Sequence, residues 1–227
     1  MLIEIPDILT AEELAALRRI LSDAPWTDGR DTAGAQSAEV KRNEQLPVGS
    51  PAEAEAQAVL SGALARSATF MSAALPRRIL PPMFNRYRGG GEFGAHVDNA
   101  IRVIPGANET MRADLSCTVF LEDPAAYDGG ELVVRDHYGD KTVKGAAGSA
   151  VLYPSDSLHY VTPVTRGARL ASFFWIQSLV REDARRSMLF DLDGAVQTLS
   201  AERGANDPVC LKLTGLYHNL IRNFAEV

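Results

Sequence analysis

The sequence predicts a mainly β core with flanking helices, an α+β fold, on three observations. Two segments with helix-capping patterns and apolar residues at helical spacing occupy the first 77 residues. From 78 to 180, short apolar runs alternate with Gly-Gly, Asp-Gly and Pro-Ser-Asp turns, a texture typical of an all-β sandwich or barrel. Helical periodicity returns after residue 180. We therefore divide the chain into an N-terminal helical and mixed region (1–77), a core (78–180) and a C-terminal helical extension (181–227).

The two N-terminal helices are predicted from their first residues. Thr10–Glu13 forms a capping box ahead of leucines and isoleucines at helical spacing. Ser50–Glu53 repeats this pattern, with a proline at the first helical position and a glutamate that closes the box. The apolar residues of this second helix continue to about Leu75, and Pro76 is expected to end it.

Seven strands are predicted from short apolar runs between turn residues. In the run from Leu115 to Leu121 every second residue is apolar, which indicates a half-buried strand. Two closing helices are expected around 181–187 and 210–225, with irregular structure between them. The predicted strands are Ile79–Arg88, Asp114–Leu121, Glu131–Arg135, Lys141–Lys144, Ser149–Tyr153, Val161–Pro163 and Arg169–Val180.

The composition argues against a nucleic-acid-binding, membrane-spanning or secreted protein. The net charge is −6 and the basic residues are dispersed, whereas nucleic-acid binding needs clustered Lys and Arg. No apolar run approaches the ~20 residues of a membrane span, and the N-terminus has no secretory pattern. Cys117 and Cys210 form no metal or disulfide motif and are expected to be buried thiols. We expect a cytoplasmic protein without nucleic-acid or membrane partners.

Two histidines and one aspartate form a candidate metal site. His96 and Asp98 are two residues apart, so in an extended segment both point to the same side. A late strand of a closed β structure can return beside an early one and bring His159 to them. Two imidazoles and one carboxylate form the facial triad of non-haem Fe(II) oxygenases, which leaves three coordination positions for a bidentate 2-oxo acid and O2.

A fourth residue completes the candidate site. Arg169 begins the apolar run that ends near Val180. A guanidinium at the inner end of a buried strand is costly unless an anion pairs with it. The distal carboxylate of 2-oxoglutarate would provide a bidentate partner.

The residues around these four positions carry a family resemblance. Their order and spacing resemble the iron and 2-oxoglutarate dioxygenases of the prolyl-4-hydroxylase type, and more closely the bacterial PKHD-type hydroxylases. The resemblance extends over nearly the whole chain. The stretches that carry it are Asn85–Ala100, Asp128–Leu132, Leu152–Ser155, Leu158–Val164 and Leu216–Leu220.

The resemblance implies more than the residues alone establish. It implies a double-stranded β-helix (jelly-roll) core, Fe(II), 2-oxoglutarate and O2 as cofactor and co-substrates, and L-ascorbate as reductant. It implies hydroxylation of a substrate coupled to conversion of 2-oxoglutarate to succinate and CO2. Tyr87 matches a family tyrosine near the co-substrate and is expected to contact 2-oxoglutarate. The substrate, small-molecule or peptidyl, stays open, as does a homo-oligomeric state.

Other interpretations compete at several positions. Gly89–Gly94 matches a dinucleotide-binding pattern, but no helix follows it, so we expect a tight turn beside the metal strand. His137 is predicted to be exposed in a hairpin, and His218 to pack or hydrogen-bond on the last helix. The segments 26–42 and 99–112 are candidate parts of the pocket entrance.

Two other functions are compatible with the same fold. A non-catalytic sensor that binds metal and 2-oxoglutarate is the principal alternative, although a pure metal binder has no need for an anchor such as Arg169. A halogenase is disfavoured, because Asp98 occupies the position that a halide would need.

Overall fold

The computed structural model describes residues 1–32, 38–136 and 138–227, so the predicted exposure of His137 lies outside the described residues. The helices are α1 (Ala11–Ser22), α2 (Pro51–Arg66), α3 (Ala68–Ala74), α4 (Asp183–Arg203) and α5 (Pro208–Phe224). The strands are β1 (Ile3–Ile5), β2 (Thr27–Asp28), β3 (Lys41–Arg42), β4 (Glu44–Gln45), β5 (Pro76–Ile79), β6 (Met83–Arg88), β7 (Glu92–His96), β8 (Ile101–Val103), β9 (Thr110–Arg112), β10 (Leu115–Phe120), β11 (Leu132–Asp136), β12 (Gly139–Val143), β13 (Ala150–Pro154), β14 (Leu158–Val161) and β15 (Ala168–Ser178).

Two antiparallel sheets form the centre of the molecule. The larger sheet has the strand order β1-β13-β10-β15-β6-β4-β2, and β5 pairs with the far end of β15. The smaller sheet has the order β12-β11-β14-β7-β3, and β8 and β9 form a separate hairpin. The fold is therefore mixed α/β with large antiparallel sheets, in agreement with the predicted class.

The larger sheet separates an apolar core from a polar pocket. Side chains alternate along β15, so that Phe174 and Ile176 pack with the first three helices in the main hydrophobic core. Arg169, Phe173 and Trp175 lie on the opposite face and line a cavity. Full burial of one large apolar side chain stabilises the folded state by roughly 1.5–3 kcal/mol. Packing against the helices therefore stabilises the sheet that forms one wall of the cavity.

The N-terminal helices begin as predicted, but the second is interrupted. The Thr10–Glu13 capping box is present at the start of α1. Ser67 leaves the helical conformation after α2, and its side chain caps α3 by accepting a hydrogen bond from the Phe70 amide. The predicted second capping box does not close, since Glu53 accepts from the Gly49 amide instead. One predicted helix is therefore two, divided by a serine that serves as a cap.

Two strand predictions in the larger sheet need correction. The predicted strand Ile79–Arg88 is divided into β5 and β6, because Pro81 and Pro82 have no amide hydrogen for the sheet ladder. The strand predicted as half-buried, β10, is buried along its whole length. It lies at the centre of the larger sheet with the helical core on one face and the cavity on the other, so its polar residues face a pocket and not bulk solvent.

The C-terminal extension is more helical than predicted. The helix expected over 181–187 is α4, which continues to Arg203 and replaces the expected irregular segment. Asp191, Asp193 and Gly194 have low helix propensity, but packing of α4 against α3 and α5 overrides it. Both cysteines are buried free thiols, as predicted. Among the described residues, no helix is long and apolar enough to cross a membrane.

Candidate active site

The structure brings the three predicted metal ligands together. β7 and β14 are neighbours, and their register places His96 directly opposite His159 with ring centroids 4.3 Å apart. β14 begins at Leu158, earlier than predicted, so His159 belongs to the strand. Asp98 follows the end of β7, and its Oδ2 lies 3.7 Å from Nε2 of His159. Ligand atoms of all three residues lie within 4.8 Å of one another, a spacing that fits one metal ion.

Backbone contacts orient both imidazoles toward a common point. Nδ1 of His96 lies 2.8 Å from the Gly94 carbonyl oxygen, and Nδ1 of His159 lies 3.0 Å from that of Ser157. Because a carbonyl only accepts, each Nδ1 carries the proton and Nε2 keeps its lone pair for a metal. Burial and the neighbouring His159 lower the pKa of His96 to about 4, so this imidazole is neutral at pH 7.

A buried hydroxyl pair holds the carboxylate ligand. Ser116 on β10 donates a 2.6 Å hydrogen bond to Oδ2 of Asp98. Its hydroxyl also lies 2.8 Å from that of Ser155, and both serines are buried. Such outer partners fix ligand orientation and tune metal affinity. Neither serine was singled out from the sequence, because a serine in an alternating strand has no local mark of this role.

Ser116→Ala is expected to weaken Fe(II) binding about 10- to 100-fold, the range typical for loss of a partner that orients a metal ligand. Anaerobic equilibrium dialysis would measure the affinity. Ser172→Ala is the matched control, since Ser172 is equally buried but donates to the Met83 carbonyl on β6. Equal affinity in both variants and the wild type would show that the Ser116 contact does not orient Asp98.

Arg169 lies in the cavity as a buried cation. It is 2% exposed, and its Nε has no hydrogen-bond partner among the described residues. Its guanidinium carbon lies 5.3 Å from the Tyr87 ring and 5.6 Å from the Phe120 ring. Those faces offset only part of the cost of a buried cation. The donors of this guanidinium are suited to a ligand carboxylate.

Tyr87 lines the same cavity as Arg169. It is the antiparallel partner of Arg169, so both side chains point to the same side of the larger sheet. Burial raises the pKa of Tyr87, so its phenol remains protonated at neutral pH.

A second tyrosine beside Arg169 was not anticipated. The Tyr127 hydroxyl is buried and has no partner within the described part of the chain. Gly130 separates Tyr127 from Arg169 at a positive φ of 69°; a Cβ there would come within 3.0 Å of both side chains. The Gly-Gly turn therefore allows the side chains of Tyr127 and Arg169 to approach each other across a residue that has no side chain. The sequence signal for this arrangement is the Gly-Gly turn within Asp128–Leu132.

The cavity runs from Arg169 past the three candidate ligands to solvent. The space between its walls is about 790 Å³ when the open mouth is included. The buried Asn85 lines it, and its Oδ1 has no partner among the described residues. The candidate entrance segment 99–112 contributes Arg102 to the lining, whereas Arg112 pairs with Asp114 instead.

Two family models match this chain. The model of the 2OG-Fe(II) oxygenase superfamily matches residues 82–177, and that of the PKHD-type hydroxylase C-terminal domain matches residues 183–226. A PKHD-type hydroxylase of Burkholderia cenocepacia is 57% identical over 226 residues, and one of Methylobacillus flagellatus is 54% identical; each match covers 100% of both chains. The chain belongs to the PKHD-type hydroxylase family. Membership implies a 2-oxoglutarate-dependent oxygenase that uses Fe(II) and O2.

Solved structures support the fold. A prolyl-4-hydroxylase of Pseudomonas putida is 20% identical with a TM-score of 0.52, covering 78% of this chain and 92% of that one. HygX of Streptomyces hygroscopicus, solved with nickel and 2-oxoglutarate bound, is 15% identical with a TM-score of 0.52. The match covers 80% of this chain and 84% of HygX. At these identities the likeness concerns the fold alone.

Proposed function

We propose that this PKHD-type hydroxylase inserts one oxygen atom of O2 into a C–H bond of its substrate, which gives an alcohol, while the other oxygen atom enters the succinate formed with CO2 from 2-oxoglutarate. The observation that carries the proposal is the position of Arg169 in the same cavity as His96, Asp98 and His159. Arg169 is a buried cation, and its Nε has no hydrogen-bond partner among the residues that the structure describes. A metal-binding site alone would have no use for this guanidinium, whereas a dicarboxylate co-substrate needs it. We assign the two antiparallel sheets to a double-stranded β-helix core.

Each proposed residue has a defined part. His96, Asp98 and His159 would hold Fe(II) on one face and leave the other for ligands. Arg169 would bind the distal carboxylate of 2-oxoglutarate, with the phenols of Tyr87 and Tyr127 as further donors. When bound, the iron supplies the activation of O2 that oxidises both co-substrate and substrate. The aromatic walls of the cavity exclude water, and ascorbate serves as the external reductant.

Turnover distinguishes this enzyme from a sensor that only binds metal and 2-oxoglutarate. We expect succinate to form slowly from 2-oxoglutarate, Fe(II), ascorbate and O2 even without substrate. The control is the same mixture under nitrogen, where no succinate should appear. Binding of iron and 2-oxoglutarate without any succinate in air would contradict the proposal and favour the non-catalytic sensor.

Tyr87→Phe is expected to raise the 2-oxoglutarate concentration needed for half-maximal succinate formation about fivefold, since one hydrogen bond contributes on the order of 1 kcal/mol. Fe(II) affinity should not change. Tyr217→Phe on α5, which lies outside the cavity, is the control. An unchanged 2-oxoglutarate requirement in Tyr87→Phe would remove this residue from the co-substrate site.

A further inference from the structure

The hairpin formed by β8 and β9 contributes to the cavity wall, although it joins neither main sheet. On its inner side Arg102 lines the cavity, and its guanidinium carbon lies 3.6 Å from the centroid of the Trp175 ring. Met111 on β9 is 2% exposed and belongs to the same small apolar cluster as Trp175. The hairpin therefore covers a tryptophan that is itself part of the cavity wall.

The strand pairing within the hairpin does not hold it in this position. A two-stranded hairpin by itself is only marginally stable in water. The outward side chains of β8, Ile101 and Val103, are 59% and 71% exposed, so they pack against little of the protein. The position of the hairpin therefore depends on the contacts of its inner side with Trp175 and on the ion pairs at its ends.

Arg112, the last residue of β9, links the hairpin to two other parts of the molecule. Its Nε and Nη2 donate to the carboxylate of Asp114 at 2.6 and 3.1 Å, and its Nη1 donates to Oε2 of Glu226 at 3.0 Å. The Asp114 carboxylate also accepts from the backbone amide of Ser178 at the end of β15. One guanidinium therefore joins the hairpin, the larger sheet and the segment that follows α5.

Glu226 is held by its own backbone. Its amide donates to the Leu179 carbonyl oxygen at 2.8 Å, and its carbonyl oxygen accepts from the Arg77 side chain at 3.1 Å. The Glu226 carboxylate therefore reaches Arg112 from a segment that is fixed to the core. A second ion pair, between Glu109 in the hairpin and Arg78 of β5, holds the opposite end of the hairpin.

We propose that the C-terminal extension positions this hairpin through Glu226 and Arg112, and that it thereby limits how fast ligands enter and leave the cavity. Both are positioning residues, since neither is among the residues that line the cavity. Without this ion pair the hairpin separates from Trp175 more often, and each separation widens the cavity mouth. The inference goes beyond the proposed function, because it assigns a role to a region that supplies no candidate metal ligand.

Hydrogen exchange of the ligand-free protein, detected by NMR, tests how the hairpin is held. The reporters are the amides of Ala113 and Ile104, which donate to the carbonyl oxygens of Ala100 and Glu109 across the hairpin. In Glu226→Gln we expect these amides to exchange about two- to fivefold faster, the effect of losing one exposed ion pair. Exchange of the buried β10 amides should not change.

The binding kinetics of 2-oxoglutarate test the consequence for the cavity. Anaerobic stopped-flow on the Fe(II) protein follows the visible band of the chelate, and the dependence of the observed rate on 2-oxoglutarate concentration gives both rate constants. In Glu226→Gln we expect association and dissociation to become faster by the same factor, about two- to fivefold, with an unchanged equilibrium affinity. Damage to the site itself would instead weaken the affinity.

Glu202→Gln is the matched control, because it removes the same charge from the C-terminal extension at an exposed position in α4. It should behave as the wild type. Arg112→Gln should have a larger effect, since it also loses Asp114, and adding Glu226→Gln to it should change nothing further. Unchanged hairpin exchange or unchanged rate constants in Glu226→Gln, or an equal effect of Glu202→Gln, would overturn the proposal. If Arg112→Gln does not fold, Glu226→Gln decides the matter.

The failure of this inference can be told apart from failure of the proposed function. Hydrogen exchange requires neither iron nor 2-oxoglutarate, whereas absence of the chelate band in the wild type would overturn the proposed function. In that case acrylamide quenching of Trp175 fluorescence replaces the kinetic test, in a Trp26→Phe background because the chain has two tryptophans. Quenching should increase in Glu226→Gln and not in Glu202→Gln; equal quenching in both would overturn the inference.

Discussion

His159→Ala is expected to lower Fe(II) affinity by more than the roughly 10- to 100-fold that loss of an outer partner causes, and to abolish succinate formation. The substitution removes one of the three candidate ligands and leaves only His96 and Asp98 to hold the ion. Because His159 is buried beside Tyr153, the alanine also leaves a space that water can enter. Anaerobic dialysis followed by metal analysis would measure the loss.

His218→Ala is the control for this experiment. His218 is exposed on α5, where its ring lies 5.4 Å from that of Tyr217. It is neither among the residues that line the cavity nor part of the candidate metal site. The control should bind iron as the wild type does. Tight iron binding and full succinate formation by His159→Ala would contradict the assignment of the triad.

Arg169→Gln is expected to weaken 2-oxoglutarate binding by about 2–4 kcal/mol, or roughly 30- to 700-fold, while Fe(II) still binds. The guanidinium is the buried cation at the deep end of the cavity, and glutamine cannot form a charged bidentate pair with a carboxylate. Titration of 2-oxoglutarate into the anaerobic Fe(II) protein would measure this change.

The same variant should be no less stable than the wild type when both lack ligands. Arg169 forms no salt bridge within the described part of the chain, so its removal relieves a desolvation cost, and urea unfolding should give an equal or larger free energy of unfolding. Arg166→Gln is the control, because Arg166 forms an exposed salt bridge to Asp128 near the start of the same strand. Wild-type 2-oxoglutarate affinity in Arg169→Gln would contradict the co-substrate assignment.

The sequence predicted those parts of the fold whose signals are local. The capping box at Thr10–Glu13 satisfies backbone amides by itself, so α1 begins where expected. The pairing of His96 with Asp98 could also be predicted from the sequence, because residues two positions apart in an extended chain point to the same side. The interruption of the second helix at Ser67 was missed, since a serine within an apolar helical pattern does not reveal whether it caps.

Long-range pairings could not be derived in the same way. The burial of β10 on both faces follows from its place between β13 and β15, which no local pattern encodes. Lys41 reaches the cavity only because β3 pairs with β7, far along the chain. Ser116, Tyr127 and Asn85 gain their significance from neighbours that the sheet brings to them. The need of Arg169 for an anionic partner could be anticipated, because a buried arginine is costly without one, whichever part of the fold surrounds it.

The central claim is that one cavity binds Fe(II) through His96, Asp98 and His159 and 2-oxoglutarate through Arg169. Anaerobic titration of the wild-type protein with Fe(II) and 2-oxoglutarate tests this claim most directly. We expect the visible charge-transfer band of the chelate to appear, to be absent in His159→Ala, and to require far more 2-oxoglutarate in Arg169→Gln. Iron bound to the wild type without any band on addition of 2-oxoglutarate would contradict the account.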